Sequence, residues 1–312
     1  MKLTTGAPGC LGLYPAARPT PSLARCGTER KRLWRTLMPA QISANSVGWE
    51  HYQTLGEHYD KERPGYPICA VREIASGASS LRPSSSRIVD VGCGTGIFTR
   101  MLADALDGSF EVLGLEPSSI MIERAIKARK TGQPVRFVQS LAEQLPFGDR
   151  TVGVITAAGA AQLFDRMLFY AEAHRVLVDN GLLAILQNKR CHEIGFFQSF
   201  ELFLEKFVPG YRTGTYADAG GGHSVSDFEA ELASDDRFSN VMVQRWDWPR
   251  TFTTESFEAF ALSTIQLKMA RTTHGNDLIK ELRSILSDHC DAVGTIDVTY
   301  STELTTAVRT VQ

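Results

Sequence analysis

Two acids and three glycines carry the most specific chemistry in the sequence. In the stretch RIVDVGCGTGIFTR (87–100), Asp90 stands two residues ahead of Gly92, and Gly94 and Gly96 follow at alternate positions. Glycine suits a sharp turn that needs positive φ, and its missing Cβ lets a ligand lie against the backbone. A helix starting beyond such a turn points free N–H groups at whatever lies there. Glu116 follows Gly96 by about 20 residues, the distance at which a dinucleotide-type sheet sets an acid on a ribose diol. A carboxylate fits that task because it accepts from two vicinal hydroxyls at once. The spacing G-x-G-x-G differs from the dinucleotide fingerprint G-x-G-x-x-G, and no Gly-Lys-Ser/Thr follows, so a nicotinamide site and a phosphate loop are both disfavoured.

The elements that must position these groups are legible around them. Ile88 to Val91 is a short β-branched run typical of a buried strand. Ile97, Phe98, Met101, Leu102, Ala105 and Leu106 recur at helical spacing and give the next helix one apolar face. Phe110 to Leu115 predicts a second strand, and Pro117 with Ser118 or Ser119 suits the first turn of the helix after it. Val135 to Gln139, Val152 to Thr156 and Leu182 to Gln187 predict strands three to five, with a helix from Asp165 through Leu177 before the last. Upstream, Val47 to Asp60 reads as a helix, and Pro64 and Pro67 separate it from another over Ile68 to about Ser76. Alternating strands and helices imply right-handed crossovers and a parallel, doubly wound sheet whose ligands collect at the strand carboxyl ends.

The stretch D-V-G-C-G-T-G resembles motif I of the class I S-adenosylmethionine-dependent methyltransferases, in the group acting on small molecules. Y-D-x-x-R-P-x-Y-P (59–67) resembles the segment before motif I in that group, and A-E-x-L-P-F (142–147) the motif after the third strand. The resemblance spans roughly Tyr52 to Val308, in motif detail from Tyr59 to Asn188 and in layout afterwards. It implies a Rossmann-like α/β fold with a doubly wound sheet, mostly parallel with an antiparallel last strand. It implies S-adenosyl-L-methionine as cofactor, held by Tyr59 and Arg63, by Asp90, Gly92, Cys93, Gly94, Thr95 and Gly96, by Glu116, Pro117 and Met121, by the backbone of Ala142 and Glu143, and by Ala158. In this reading Asp90 reaches the methionine ammonium, directly or through water, and Glu116 the ribose. Ser140 stands where relatives often have glycine or aspartate, and the turn 178–181 lacks the Lys-Pro pair common in the group.

Beyond Asn188 the cofactor signals stop. The helix from Ile194 to Phe207 carries Phe196, Phe197, Phe200, Phe203 and Phe207, and reads equally as a core helix or as a lid over an acceptor. Gly214 to Gly222 is a glycine-rich loop. Val241 to Arg245 predicts a sixth strand with Trp246-Asp247-Trp248 at its exit. A helix capped by Thr253 or Thr254 runs through Ile265, another covers Asn276 to Cys290, and Thr295 to Val308 forms the last strand. The organisation expected is an extension over 1–45 and one domain over 46–312, with a variable acceptor-side region at about 189–240.

Among 312 residues the apolar share of 43% and the charged share of 22% are ordinary for a soluble globular chain. A net charge of −2 supplies no field for nucleic acid or an anionic membrane, and no apolar run approaches the roughly 20 residues of a membrane span. Cysteines at 10, 26, 69, 93, 191 and 290 form neither C-x-x-C pairs nor a cluster with histidine, which argues against a metal site and suits a reducing, cytoplasmic setting. Residues 1–45 hold five prolines and an excess of arginine, reading as a disordered extension, while the same composition fits an organelle transit peptide.

The expected activity is methyl transfer to a small organic acceptor by in-line displacement, with alignment as the main contribution of the protein. A general base would add about 10²–10⁴-fold for an oxygen acceptor. His58, Asp165 and His223 are the candidates by position, while His174 reads as packing. A cofactor-binding protein without methylation, either pericyclase-like or regulatory, and a protein or RNA methyltransferase are the alternatives.

Overall fold

The computed structural model describes residues 63–81, 86–106, 108–193, 195–214 and 226–311. The leader 1–45, the helix expected over 47–60, His58, Tyr59, and most of the glycine-rich loop together with His223 lie outside the described residues.

Strands β1 (Arg87–Val91), β2 (Glu111–Glu116), β3 (Val135–Gln139), β4 (Val152–Ala158) and β5 (Leu177–Arg190) pair in parallel. The last two strands, β6 (Phe238–Thr253) and β7 (Thr295–Arg309), complete a sheet of order β3-β2-β1-β4-β5-β7-β6, in which β7 runs antiparallel to both neighbours. This is the mostly parallel, doubly wound α/β sheet that the sequence implies. Its order reverses between β1 and β4, which creates a crevice at their carboxyl ends.

Successive residues of the central strands feed opposite faces, as a period of two requires. Ile88, Val154, Ala184 and Leu186 pack against helices α1 (Ile68–Ser79) and α2 (Ile97–Ala105), through Val71, Ile74, Phe98 and Leu102. Val89, Ile155, Leu183 and Ile185 pack on the other face against α4 (Arg166–Val176), through Phe169, Tyr170 and Ala173. Between β2 and β3, α3 (Ser119–Lys127) is capped by Ser118, whose hydroxyl accepts from the Met121 N–H.

A second core lies around the far halves of β6 and β7. There α5 (Phe196–Phe207), α7 (Thr254–Ser263) and α8 (Ile265–His289) bury a phenylalanine cluster, while α6 (Phe228–Ala233) joins the first core. All five phenylalanines of α5 are buried, with Phe196, Phe200 and Phe257 in ring contact, so packing accounts for that helix. Within this core Arg190, at the end of β5, donates to the buried Glu201 carboxylate at 2.5 Å, and Tyr211 donates to its other oxygen at 2.8 Å.

Several boundaries differ from expectation. The fifth strand begins at Leu177 and runs to Arg190, so that 178–181 is an irregularity in its pairing with β4 rather than a turn before it. Trp246, Asp247 and Trp248 lie inside β6 rather than at its exit. The strand runs on through Pro249, because β6 is the edge strand, where a residue without an N–H is tolerated. The helix expected to run through Ile265 stops at Ser263, and Thr264 in extended conformation caps α8 by accepting from the Leu267 N–H. The segment before Asn276 is also helical, separated from the rest of α8 by a kink at Gly275 (φ 54°).

Candidate active site

The glycine loop leaves β1 at the crevice, and its three glycines serve different needs. All adopt positive φ (68°, 55° and 77° for Gly92, Gly94 and Gly96). A Cβ on Gly92 would lie 2.6 Å from the Ala160 Cβ, and one on Gly96 would lie 2.6 Å from the Phe137 ring. A Cβ on Gly94 would meet nothing within 4 Å. Gly92 and Gly96 thus let the loop pack against β3 and the segment after β4, while Gly94 leaves its backbone bare to open space. Gly96, left-handed, starts α2.

Glu116 closes the loop from the end of β2. Its Oε2 accepts from the Gly94 N–H and its Oε1 from the Ser118 N–H, both at 3.0 Å, and only 7% of the residue is exposed. Burial raises its carboxyl pKa, against the pull of these two N–H donors and of Arg63. The side chain is aimed by backbone at both oxygens, and each oxygen keeps a second lone pair.

Asp90 is held behind the loop, between β4 and α2. Thr99 donates to its Oδ2 at 2.6 Å and Thr156 to its Oδ1 at 2.9 Å. Burial pushes its pKa up to about 7; the two threonines oppose the shift, and the neighbouring Glu116 charge adds to it. Burial, together with Asp90 and Glu116, also keeps the Cys93 thiol protonated well beyond its ordinary range, which denies it thiolate chemistry. Its sulfur packs against Gly114, where a Cβ would come within 2.8 Å.

An open-mouthed cleft runs along this loop. Arg63, Gly92, Gly94, Glu116, Pro117, Met121, Ala142 and Glu143 are among the residues that line it. The structure therefore gathers eight of the proposed cofactor residues around one space. Asp90, Cys93, Thr95, Gly96 and Ala158 are not among its lining side chains. Thr95 is buried and gives its carbonyl to Arg100, and Ala158 packs on the α1 side of the sheet. The Ser140 hydroxyl is turned into its own loop, donating to the Leu141 or Gln144 carbonyl.

The remainder of the wall comes from Leu141, Gly159, Ala160, Leu163 and Phe164. Only the smallness of the segment after β4 was readable in sequence; that Phe164 backs onto Gly92 depends on a contact between distant strands. The Glu143 carboxylate accepts from the Asp165 N–H at 2.9 Å, linking the segment after β3 to the start of α4. The Tyr66 hydroxyl lies 3.0 Å from where a Gly159 Cβ would stand, with its ring edge-on to Phe98. Burial raises its phenol pKa, so the group stays neutral.

Asp165 does not line the cleft: it caps α4, accepting from the Leu168 N–H at 3.2 Å. His174 packs edge-on to Phe238, and burial lowers its pKa. Among the described residues no helix is long and apolar enough to cross a membrane.

The methyltransferase-domain family profile matches residues 89–185, from β1 into β5. A demethylmenaquinone methyltransferase of Lysinibacillus sphaericus is 30% identical over 164 residues, which cover 51% of this chain and 70% of that protein. The enzyme of the same name from Geobacillus kaustophilus is 32% identical over 166 residues, again 51% and 70%. In fold, the YcgJ protein of Bacillus subtilis superposes with a TM-score of 0.50 at 19% identity, covering 79% of this chain and all (100%) of that one. The bare Gly94 backbone beside a fixed acceptor carboxylate is a cradle that an adenosyl group fits, and relatives at 30% and 32% identity are covered over 70% of their length: the chain belongs to the class I S-adenosylmethionine-dependent methyltransferases.

Proposed function

We propose that the acceptor is a small organic molecule, methylated by in-line displacement with alignment as the main catalytic contribution. The single observation that carries this reading is the form of the cleft. It is mostly apolar, bordered by Met121, Leu141, Leu163 and Phe164, with Glu116, Glu143 and Arg63 as its charged groups. A pocket of this kind encloses a small ligand and orients it with few polar contacts. The relatives named for demethylmenaquinone support a small-molecule acceptor, and the chain's net charge of −2 offers little attraction for a nucleic acid.

When bound, the cofactor supplies an electrophilic methyl on a positively charged sulfur. The residues of the chain then have three tasks. Glu116, oriented by the Gly94 and Ser118 N–H groups, accepts from the ribose hydroxyls. Arg63 offers a cation for the carboxylate at the methionine end, and Asp90 a negative charge for its ammonium. Gly159 and Ala160 keep the space after β4 free of side chains, so that an acceptor can approach along the line of displacement; such positioning is worth up to about 7–11 kcal/mol of a bimolecular barrier. Asp165 is committed to capping α4 and takes no part in proton transfer.

The test is to incubate the protein with methyl-labelled S-adenosylmethionine and a metabolite extract, and to identify what gains label. Label in a low-molecular-weight product supports the proposal. Label in macromolecules alone, or cofactor binding without any transfer, would replace it with one of the alternatives.

A further inference from the structure

Beyond the cleft, three side chains and one carbonyl form a directed hydrogen-bond chain across the sheet. Trp248 Nε1 donates to Thr302 Oγ1 at 2.8 Å, Thr302 Oγ1 donates to Asn188 Oδ1 at 2.6 Å, and Asn188 Nδ2 donates to the Gly65 carbonyl at 2.9 Å. Its direction is fixed at both ends, because an indole N–H can only donate and a carbonyl can only accept. The threonine must therefore give its one proton to Asn188, and the asparagine amide has a single satisfactory orientation. Register supplies the links: Asn188 and Thr302 are directly opposed across β5 and β7, and Trp248 opposes Tyr300, two residues from Thr302. Thr302 is fully buried, so a broken link there leaves a group that water cannot satisfy.

The two ends of the chain lie in different parts of the molecule. The Trp248 indole stacks on Tyr300 at 5.2 Å, and Tyr300 meets Phe197 of the phenylalanine-rich core at 5.1 Å. Gly65 sits between Pro64 and Tyr66, in the segment that brings Arg63 to the cleft and Tyr66 to Gly159. Pro64 and Pro67 have no N–H, and the Pro67 carbonyl is used by Ala70 and Val71 at the start of α1. The Gly65 carbonyl is thus a backbone group by which this short segment is tied to the sheet.

We propose that Asn188 is a positioning residue for the cofactor site, holding the Arg63–Tyr66 segment over the cleft through the Gly65 carbonyl, with Thr302 and Trp248 orienting Asn188. This rests on the placement of the cofactor in the cleft lined by Gly94 and Glu116. It adds a residue to that site which lies outside the cleft and beyond the stretch matched by the family profile.

The test compares Asn188→Asp, Thr302→Val and Thr302→Ser with the wild type in the full chain. Asn188→Asp keeps size but turns an acceptor toward the Gly65 carbonyl. Thr302→Val removes the relay hydroxyl, and Thr302→Ser keeps it. The readouts are the Kd of S-adenosylhomocysteine by calorimetry, the melting temperature without ligand, and KM for S-adenosylmethionine against kcat. Asn188→Asp and Thr302→Val should each weaken S-adenosylhomocysteine about tenfold or more, raising KM far more than they lower kcat, while Thr302→Ser stays near wild type. Lower melting temperatures with an unchanged Kd in the folded variants would mean a purely structural role and overturn the proposal. Should Asn188→Asp fail to fold, the valine and serine pair at 302 decides by the same criterion. A Glu116→Ala control separates the underlying placement: unchanged ligand affinity in that variant would refute the cleft site itself, whatever the Asn188 result.

Discussion

Asp90 gives a test in which sign, size and pH window all follow from the structure. Its carboxyl is buried between Thr99 and Thr156, and its pKa is pushed up to about 7 from an ordinary value of 3.8. Between those two values the folded protein holds a proton that the unfolded chain has lost. Stability without ligand therefore has its full contribution from this group below about pH 4, loses it as pH rises toward 7, and is flat above. A difference of about three units at about 1.36 kcal/mol each makes the loss about 4 kcal/mol. Asp90→Asn is nearly isosteric and cannot ionise, and a threonine hydroxyl can turn to accept from the new amide, so the variant should lack this slope. Urea unfolding of both proteins without ligand, from about pH 5 to about pH 8, measures the difference. The variant should gain on the wild type by about 1.4 kcal/mol per pH unit at first and level off above about pH 7. The other titrating groups are common to both proteins and cancel. A difference that stays constant across the range, or one that shrinks with rising pH, would refute the assignment of a strained, buried charge behind the loop. If Asp90 serves the methionine ammonium as proposed, S-adenosylhomocysteine should bind the wild type more tightly as pH climbs through the same window, and the asparagine variant should lose that dependence.

Other substitutions separate packing from binding. Gly94→Ala puts a Cβ into open space at φ 55°, so it should cost only about 1 kcal/mol of stability by chemical denaturation yet weaken S-adenosylhomocysteine sharply by calorimetry. Gly96→Ala should do the reverse, because its Cβ meets the Phe137 ring at 2.6 Å; overpacking of this kind costs about 1–3 kcal/mol, read as a lower urea midpoint. Glu201→Ala should destabilise by about 3–5 kcal/mol, because Arg190 would keep its charge in the phenylalanine-rich core without the carboxylate it now pairs with, and thermal unfolding measures it.

What the sequence made legible was local chemistry. A β-branched strand, a glycine turn and an amphipathic helix announce themselves within fourteen consecutive residues, 87–100, because each depends on neighbours in the chain. Glu116 was legible for a similar reason: one crossover helix fixes the length between successive strand ends. The partners of these residues were not. Thr99 and Thr156 come from α2 and β4, and no spacing rule says that both hydroxyls should converge on Asp90. Phe164 against Gly92, and Phe137 against Gly96 and Gly114, are meetings of segments far apart in sequence. The exit expected at Trp246 to Trp248 was misplaced as well, because how far an edge strand runs, even through Pro249, depends on its single neighbour β7.

The same distinction explains why the glycines of one motif must be read separately. By sequence Gly92, Gly94 and Gly96 are equivalent, and all three are left-handed in the fold. Around them, however, Ala160 and Phe164 crowd the first, Phe137 crowds the third, and only the second faces free volume. A Cβ at the outer two would be resisted by the protein itself, whereas at Gly94 the only atoms displaced would belong to a ligand. The Gly94 N–H, moreover, is the donor that orients Glu116. Bare backbone and aimed carboxylate are thus one unit, and a substitution that tilts the Gly94 peptide should disturb ribose recognition even where it leaves the cleft open.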